Sequence, residues 1–116
     1  MSGDLIIGVD LGGTNVRSAV VDHAGRVTDN ARLSVAGSGT AEVVINRVVA
    51  CVNQTLDRCG HEHIRGIGVG TPGLIKAETG TIVYAPNVPG WVDLPLQTIL
   101  EERFGLPVSI ENDANA

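Results

Sequence analysis

The chain has 116 residues, 43% of them hydrophobic but with a single Tyr, Trp and Phe, so its core is built mainly from Val, Ile, Leu and Ala, which suits one sheet covered by helices. A formal net charge of -5 gives no clustered Lys and Arg for nucleic acid or an anionic membrane, and neither is expected as a partner. Met1-Ser2-Gly3-Asp4 carries an acid where a signal peptide carries positive charge, and no apolar run is long enough to span a bilayer, so a cytoplasmic setting is expected.

Leu5-Ile6-Ile7-Gly8-Val9 is an apolar run ending in Asp10-Leu11-Gly12-Gly13-Thr14, which reads as a buried strand followed by a tight glycine turn. Val16 to Val21 resumes as a second strand. Asp22-His23-Ala24-Gly25 supplies turn residues, and Arg26 to Val35 reads as a third, less apolar strand nearer the sheet edge. Short turns join the three into an antiparallel meander. After Ala36-Gly37-Ser38-Gly39, the apolar positions Ala41, Val44, Val48, Val52, Thr55 or Leu56, and Cys59 recur at helical spacing, with Thr40 as N-cap and Gly60 as the stop.

Ile64 to Gly70 reads as a strand that a helical crossover makes parallel to its partner. Leu74 to Tyr84 reads as a hairpin turning at Glu78-Thr79-Gly80. Asp93 is expected to cap a second helix over Leu94 to Phe104, closed by Gly105, and Pro107 to Ile110 to form the last strand. Cys51 and Cys59 lie about 12 Å apart along one helix, beyond the roughly 7 Å of a disulfide, and read as small apolar residues. His61-Glu62-His63 lacks further ligands at zinc-site spacing and reads as a solvated loop.

This βββαβαβ order predicts an α/β fold with a mixed five-stranded sheet and helices packed on it. Ligands of such sheets sit beyond the carboxyl ends of the parallel strands. Here those ends are Asp10 to Thr14, Thr71 to Gly73, and Asn112-Asp113, three segments brought to one edge.

Asp10-Leu11-Gly12-Gly13-Thr14-Asn15 resembles the first phosphate motif of the actin, hexokinase and Hsp70 superfamily. Glycines let backbone N–H groups approach phosphate oxygens, Thr14 adds a hydroxyl, and Asp10 can hold Mg²⁺ directly or through water. No Gly-Lys-Ser/Thr follows and the turn runs strand to strand, unlike a Walker A loop or a Rossmann fingerprint.

Gly66-Ile67-Gly68-Val69-Gly70-Thr71-Pro72-Gly73 resembles the glycine turn of ROK proteins. Gly73 is placed beside the sugar, while Gly66, Gly68 and Gly70 read as small residues that let a helix pack close. Ala85-Pro86-Asn87-Val88-Pro89-Gly90-Trp91 resembles the ROK glucokinase segment that brings Asn87 to the sugar, with Trp91 as a packing anchor. Glu111-Asn112-Asp113-Ala114-Asn115-Ala116 is similar to the ROK motif in which Asn112 binds sugar hydroxyls and Asp113 is the general base. An N-cap role for Asp113 is compatible with catalysis, since capping keeps it ionised.

The resemblance spans the whole chain but only the N-terminal part of the family pattern. It implies the ribonuclease-H-like N-terminal lobe of an actin-like ATPase, residues 1–116, with the adenosine-binding lobe and a zinc-binding Cys/His cluster expected only beyond Ala116. The implied activity is phosphorylation of a hexose, glucose first, with ATP and Mg²⁺, and residues 1–116 alone are expected to be inactive and to self-associate. Two alternatives stay open. One is a ROK repressor that senses sugar, although such repressors carry a winged helix ahead of this lobe and here the first strand begins just after Met1. The other is an N-acetylglucosamine or N-acetylmannosamine kinase, which shares almost every residue named.

Overall fold

The computed structural model describes residues 5–12, 14–35, 40–60, 63–71, 73–76, 78–84 and 92–112. In chain order they form β1 (Leu5–Leu11), β2 (Asn15–Val21), β3 (Val27–Ser34), α1 (Ala41–Cys59), β4 (Ile64–Thr71), β5 (Leu74–Lys76), β6 (Thr81–Tyr84), β7 (Val92–Leu94), α2 (Leu96–Phe104) and β8 (Val108–Asn112). The main sheet has the order β3-β2-β1-β4-β8. The first three strands are antiparallel, and β4 runs parallel to both β1 and β8. The expected meander, edge position of β3, parallel crossover and mixed five-stranded α/β sheet are all present.

Alternation decides which face is covered. Ser18, Val9, Val69 and Ile110 form one row of register partners, and all are buried. Ser18 is bonded to α1, so this is the helix-covered face. Asp10, Arg17, Gly68 and Ser109 occupy intervening positions and face the other way. From α1 the face is covered by Val44, Ile45, Val48, Cys51, Val52, Thr55 and Leu56. Ile45 and Cys51 widen the apolar stripe beyond the positions expected from spacing alone.

Where α1 crosses β2, a polar group is buried at no loss of hydrogen bonding. The Ser18 hydroxyl donates to the Cys51 carbonyl at 2.9 Å, and its oxygen lies 2.6 Å from Thr55 Oγ1. A hydroxyl has one proton, so Thr55 must be the donor in the second bond. Both Cys51 and Cys59 are free thiols.

The caps of α1 are as expected. Thr40 Oγ1 accepts from the Val43 N–H at 3.3 Å, and the Gly60 N–H donates to the Leu56 carbonyl at 2.8 Å. The start of α2 differs. Asp93 belongs to β7 at φ 51 and caps nothing; the helix begins at Leu96 behind Pro95, which makes no side-chain cap. A residue before proline is pushed away from helical geometry, so Leu94 stays extended and pairs with Ile82. The missing cap comes from another element: the Gln97 N–H donates to the Gly80 carbonyl at the tip of the β5–β6 hairpin. Addition of β7 turns the expected hairpin into a three-stranded sheet, β5-β6-β7. Gly105 closes α2 in the left-handed conformation as expected.

Candidate functional site

The β1–β2 hairpin is held by the Gly12 N–H donating to the Asn15 carbonyl at 2.9 Å, and its tip is tied to β3 by the Val35 N–H bonding the Thr14 carbonyl at 2.8 Å. Leu11 and Val16 are fully buried on either side and fix the hairpin to the core, which leaves Asp10 and Thr14 exposed at the rim. Asp10, Gly12, Thr14, Asn15 and Arg17 line one open depression of ≈280 Å³. Gly13 lies outside the described residues.

Gly12 is not held by its own backbone. It has no positive φ, and a Cβ there would meet the Asn15 carbonyl only at an ordinary 3.7 Å. The hairpin would therefore accept a side chain at 12. Gly73, in contrast, has φ 110. That conformation alone calls for glycine, so closeness to a sugar is not needed to explain it.

The parallel strands bring their carboxyl ends into line. Asp10 is the register partner of Gly70, Gly70 of Glu111, and Thr71 of Asn112. At about 4.8 Å per strand, Asp10 and Glu111 stand roughly 10 Å apart across β4. Asn112 is the last residue of β8, two positions later than the end expected for that strand, so its backbone is in the sheet. Asp113, which follows, lies outside the described residues, as do Asn87 and Trp91. The described calls, Asp10, Gly12, Thr14, Asn15, Gly73 and Asn112, therefore belong to the ends of the three parallel strands and the turns that leave them.

The three β4 glycines behave differently from expectation. Gly66, Gly68 and Gly70 occupy the face away from α1, so α1 is not what they admit. At Gly66 the crowding comes from the segment entering β8, where a Cβ would sit 3.0 Å from the Pro107 carbonyl.

One residue of the depression was not singled out from sequence. Arg17 is the register partner of Asp10 and shares its depression. Strand alternation across the hairpin would have found it, because a residue two beyond Asn15 returns to the same face. As for metal, the depression offers one carboxylate, one hydroxyl and one amide. That donor set fits a cation that keeps most of its water, as Mg²⁺ does. No cluster of three or more His, Cys, Asp or Glu suited to a metal occurs among the described residues, and none of their helices is long and apolar enough to cross a membrane. His63 is exposed, while His61 and Glu62 lie outside the described residues.

A family model described as the ROK family matches residues 6–116. The chain is 38% identical over 112 residues to a glucokinase of Streptomyces coelicolor, covering 97% of this chain and 33% of that protein. It is 32% identical over 113 residues to a xylose repressor of Caldicellulosiruptor bescii, covering 96% and 28% respectively. Among solved structures, a ROK family glucokinase from Streptomyces griseus in complex with glucose and AMPPNP superposes with a TM-score of 0.85 at 37% identity, covering 96% of this chain and 34% of that one. The chain thus spans about a third of the length of the curated relatives it matches.

Proposed function

The chain belongs to the ROK family, and from that premise we propose that it is the N-terminal lobe of an ATP-dependent hexose kinase whose acceptor is the 6-hydroxyl of glucose. The observation that carries the reading is the alignment of Asp10, Thr71 and Asn112 at the ends of three adjacent parallel strands. It puts a phosphate-type turn and the Glu111-Asn112-Asp113 segment on one sheet edge, where a donor and an acceptor could meet. The S. griseus glucokinase, crystallised with glucose and AMPPNP, supports both ligand classes.

In this reading the backbone N–H of Gly13 and the hydroxyl of Thr14 hold phosphate oxygens, with Asn15 beside them, while Gly12, whose own N–H is bonded to the Asn15 carbonyl, leaves the space the phosphate occupies. Asp10 would hold the metal, directly or through water. Mg²⁺, when bound, supplies neutralisation of the charge on the transferring phosphate. Asn112, with Asn87 and Gly73 adjacent, orients the sugar by its hydroxyls. Asp113 accepts the proton of the 6-hydroxyl as its oxygen bonds to the γ-phosphorus and the bond to the β-phosphate oxygen breaks, giving glucose 6-phosphate and ADP. The setting we propose is cytoplasmic.

The 32% identity to a xylose repressor supports a second reading, a sugar-sensing lobe that transfers nothing. The Asp10 to Asn15 turn, which a sensor of sugar alone does not need, favours the kinase. Calorimetric titration of the full-length protein carrying this chain with glucose, mannose, fructose, xylose, N-acetylglucosamine and N-acetylmannosamine tests the substrate. Glucose should bind tightest. Tightest binding of an N-acetylated sugar would remove the glucokinase assignment and leave the kinase class standing.

A further inference from the structure

The small sheet β5-β6-β7 is irregular along one line that crosses all three strands. Leu74 pairs with Tyr84 and Ile75 with Ile82, so one step on β5 matches two on β6 and Val83 is an extra residue. Such a bulge bends its strand and increases the local twist. On the other side Val92 pairs with Tyr84 and Leu94 with Ile82, which leaves Asp93 opposite Val83. Asp93 has φ 51, the one positive φ outside glycine among the described residues. A left-handed backbone is unfavourable at any residue with a Cβ and persists only where the surroundings impose it. The side chain of Asp93 does not impose it: it is exposed, with no hydrogen-bond or ion-pair partner among the described residues. The neighbours do. Pro95 keeps Leu94 extended, and Val92 and Leu94 are both tied to β6, so Asp93 is the residue left to carry the bend.

This line sets off a terminal row, formed by Leu74, Tyr84 and Val92, from the rest of the small sheet. The row is the end of that sheet nearest the candidate site. Leu74 follows Thr71 by three residues, at most about 11 Å of chain. Thr71 in turn is the register partner of Asn112. Gly73, with φ 110, enters the row at Leu74, and the segment 85–91 leaves it at Tyr84 and rejoins it at Val92. We propose that Asp93 is a positioning residue for the acceptor sugar. Its left-handed backbone, opposite the Val83 bulge, fixes the tilt of the row and with it the places from which Gly73 and the segment 85–91 approach the sugar. The proposal rests on the hexose-kinase reading, in which Gly73 and Asn87 lie beside that sugar. What matters at position 93 is the backbone angle and not the carboxylate.

The test is calorimetric titration of the full-length protein carrying this chain with glucose and, separately, with ATP, in the wild type and in Asp93→Asn, Asp93→Gly, Asp93→Ala and Asp93→Val. Asparagine and glycine tolerate a positive φ, so those two variants should bind glucose within about threefold of the wild type. Alanine and, more so, valine relax the row towards regular strand geometry, which the sugar must then reverse. Glucose affinity should fall in both, by roughly tenfold or more in Asp93→Val. ATP affinity should stay unchanged in all four. If Asp93→Val fails to fold, Asp93→Ala carries the same comparison against Asp93→Gly. Wild-type glucose binding by the alanine and valine variants would refute the positioning role and leave the kinase reading standing. Equal losses in Asp93→Gly and Asp93→Ala would assign the effect to the carboxylate, and a parallel loss of ATP binding would reduce it to general destabilisation; either overturns the proposal. If the wild type binds no glucose, the hexose reading fails and takes the positioning role with it.

Discussion

Asp22 shows how much one side chain can organise. Its Oδ1 accepts from the N–H groups of Ala24 and Arg26, both at 2.9 Å, and its Oδ2 from Arg26 Nε at 3.0 Å. The Arg26 N–H above all, with help from Ala24 and the guanidinium, holds the carboxyl below its ordinary value of 3.8 despite some opposing desolvation. A depressed folded-state value means that the stabilising contribution is complete above the unfolded pKa and disappears as pH falls through the folded one. Asp22→Asn keeps an acceptor but not the charge. The gap in urea midpoint between wild type and Asp22→Asn should therefore be largest at neutral pH and shrink by roughly pH 3. An equal gap at both ends would show that the charge is irrelevant to the β2–β3 turn. Single residues were readable where chemistry and backbone demand coincide, as at Asp22, Thr40 and Gly105. At Gly73 the positive φ supplies a reason for glycine that no residue pattern shows, and Arg17 escaped notice because its meaning lies in its register partner across the hairpin.

At the scale of elements, the contrast between the two helices is instructive. Helix α1 was readable from end to end because its cap, its apolar stripe and its stop are all local. Helix α2 was misplaced at its start because its cap is supplied by Gly80, a residue of a different element. That dependence makes a prediction. Gly80 has φ 64, and a Cβ there would collide with Gln97, including its Cβ, which cannot swing away. Gly80→Ala should lower stability by about 1–3 kcal/mol through strain and loss of the hairpin–helix contact, as read from chemical denaturation. An unchanged midpoint would mean that the hairpin does not hold α2. The small sheet β5-β6-β7 was only half readable, since β7 is three residues long and is identified by pairing with β6 rather than by any run of its own.

Over the whole molecule, topology was the most legible feature. A meander followed by a helical crossover leaves few ways to build a sheet, and the observed order β3-β2-β1-β4-β8 is among them. The site was legible only as far as strand ends predict it, because its two halves meet through register and not through sequence proximity. One face of that sheet is uncovered by either described helix: Ile6 is 48% exposed beside a groove lined by Gly66, Gly68, Pro107 and Ser109. Residues 1–116 expressed alone should bury this surface by self-association, giving a dimer or larger species in light scattering. A monodisperse monomer would contradict that expectation.

Phosphoryl transfer requires donor and acceptor to be fixed in line, and catalysis beyond that is mostly charge stabilisation. Glucose-dependent ADP release, measured with saturating ATP and Mg²⁺ on the full-length protein carrying this chain and on its Asp113→Asn variant, is the most direct test of the kinase reading. Wild type should release ADP only when glucose is present, and the variant should bind glucose with similar affinity while turnover falls roughly 10²- to 10⁴-fold. Glucose binding without ADP release by the wild type would contradict the kinase reading, and wild-type turnover by the variant would remove Asp113 from the mechanism.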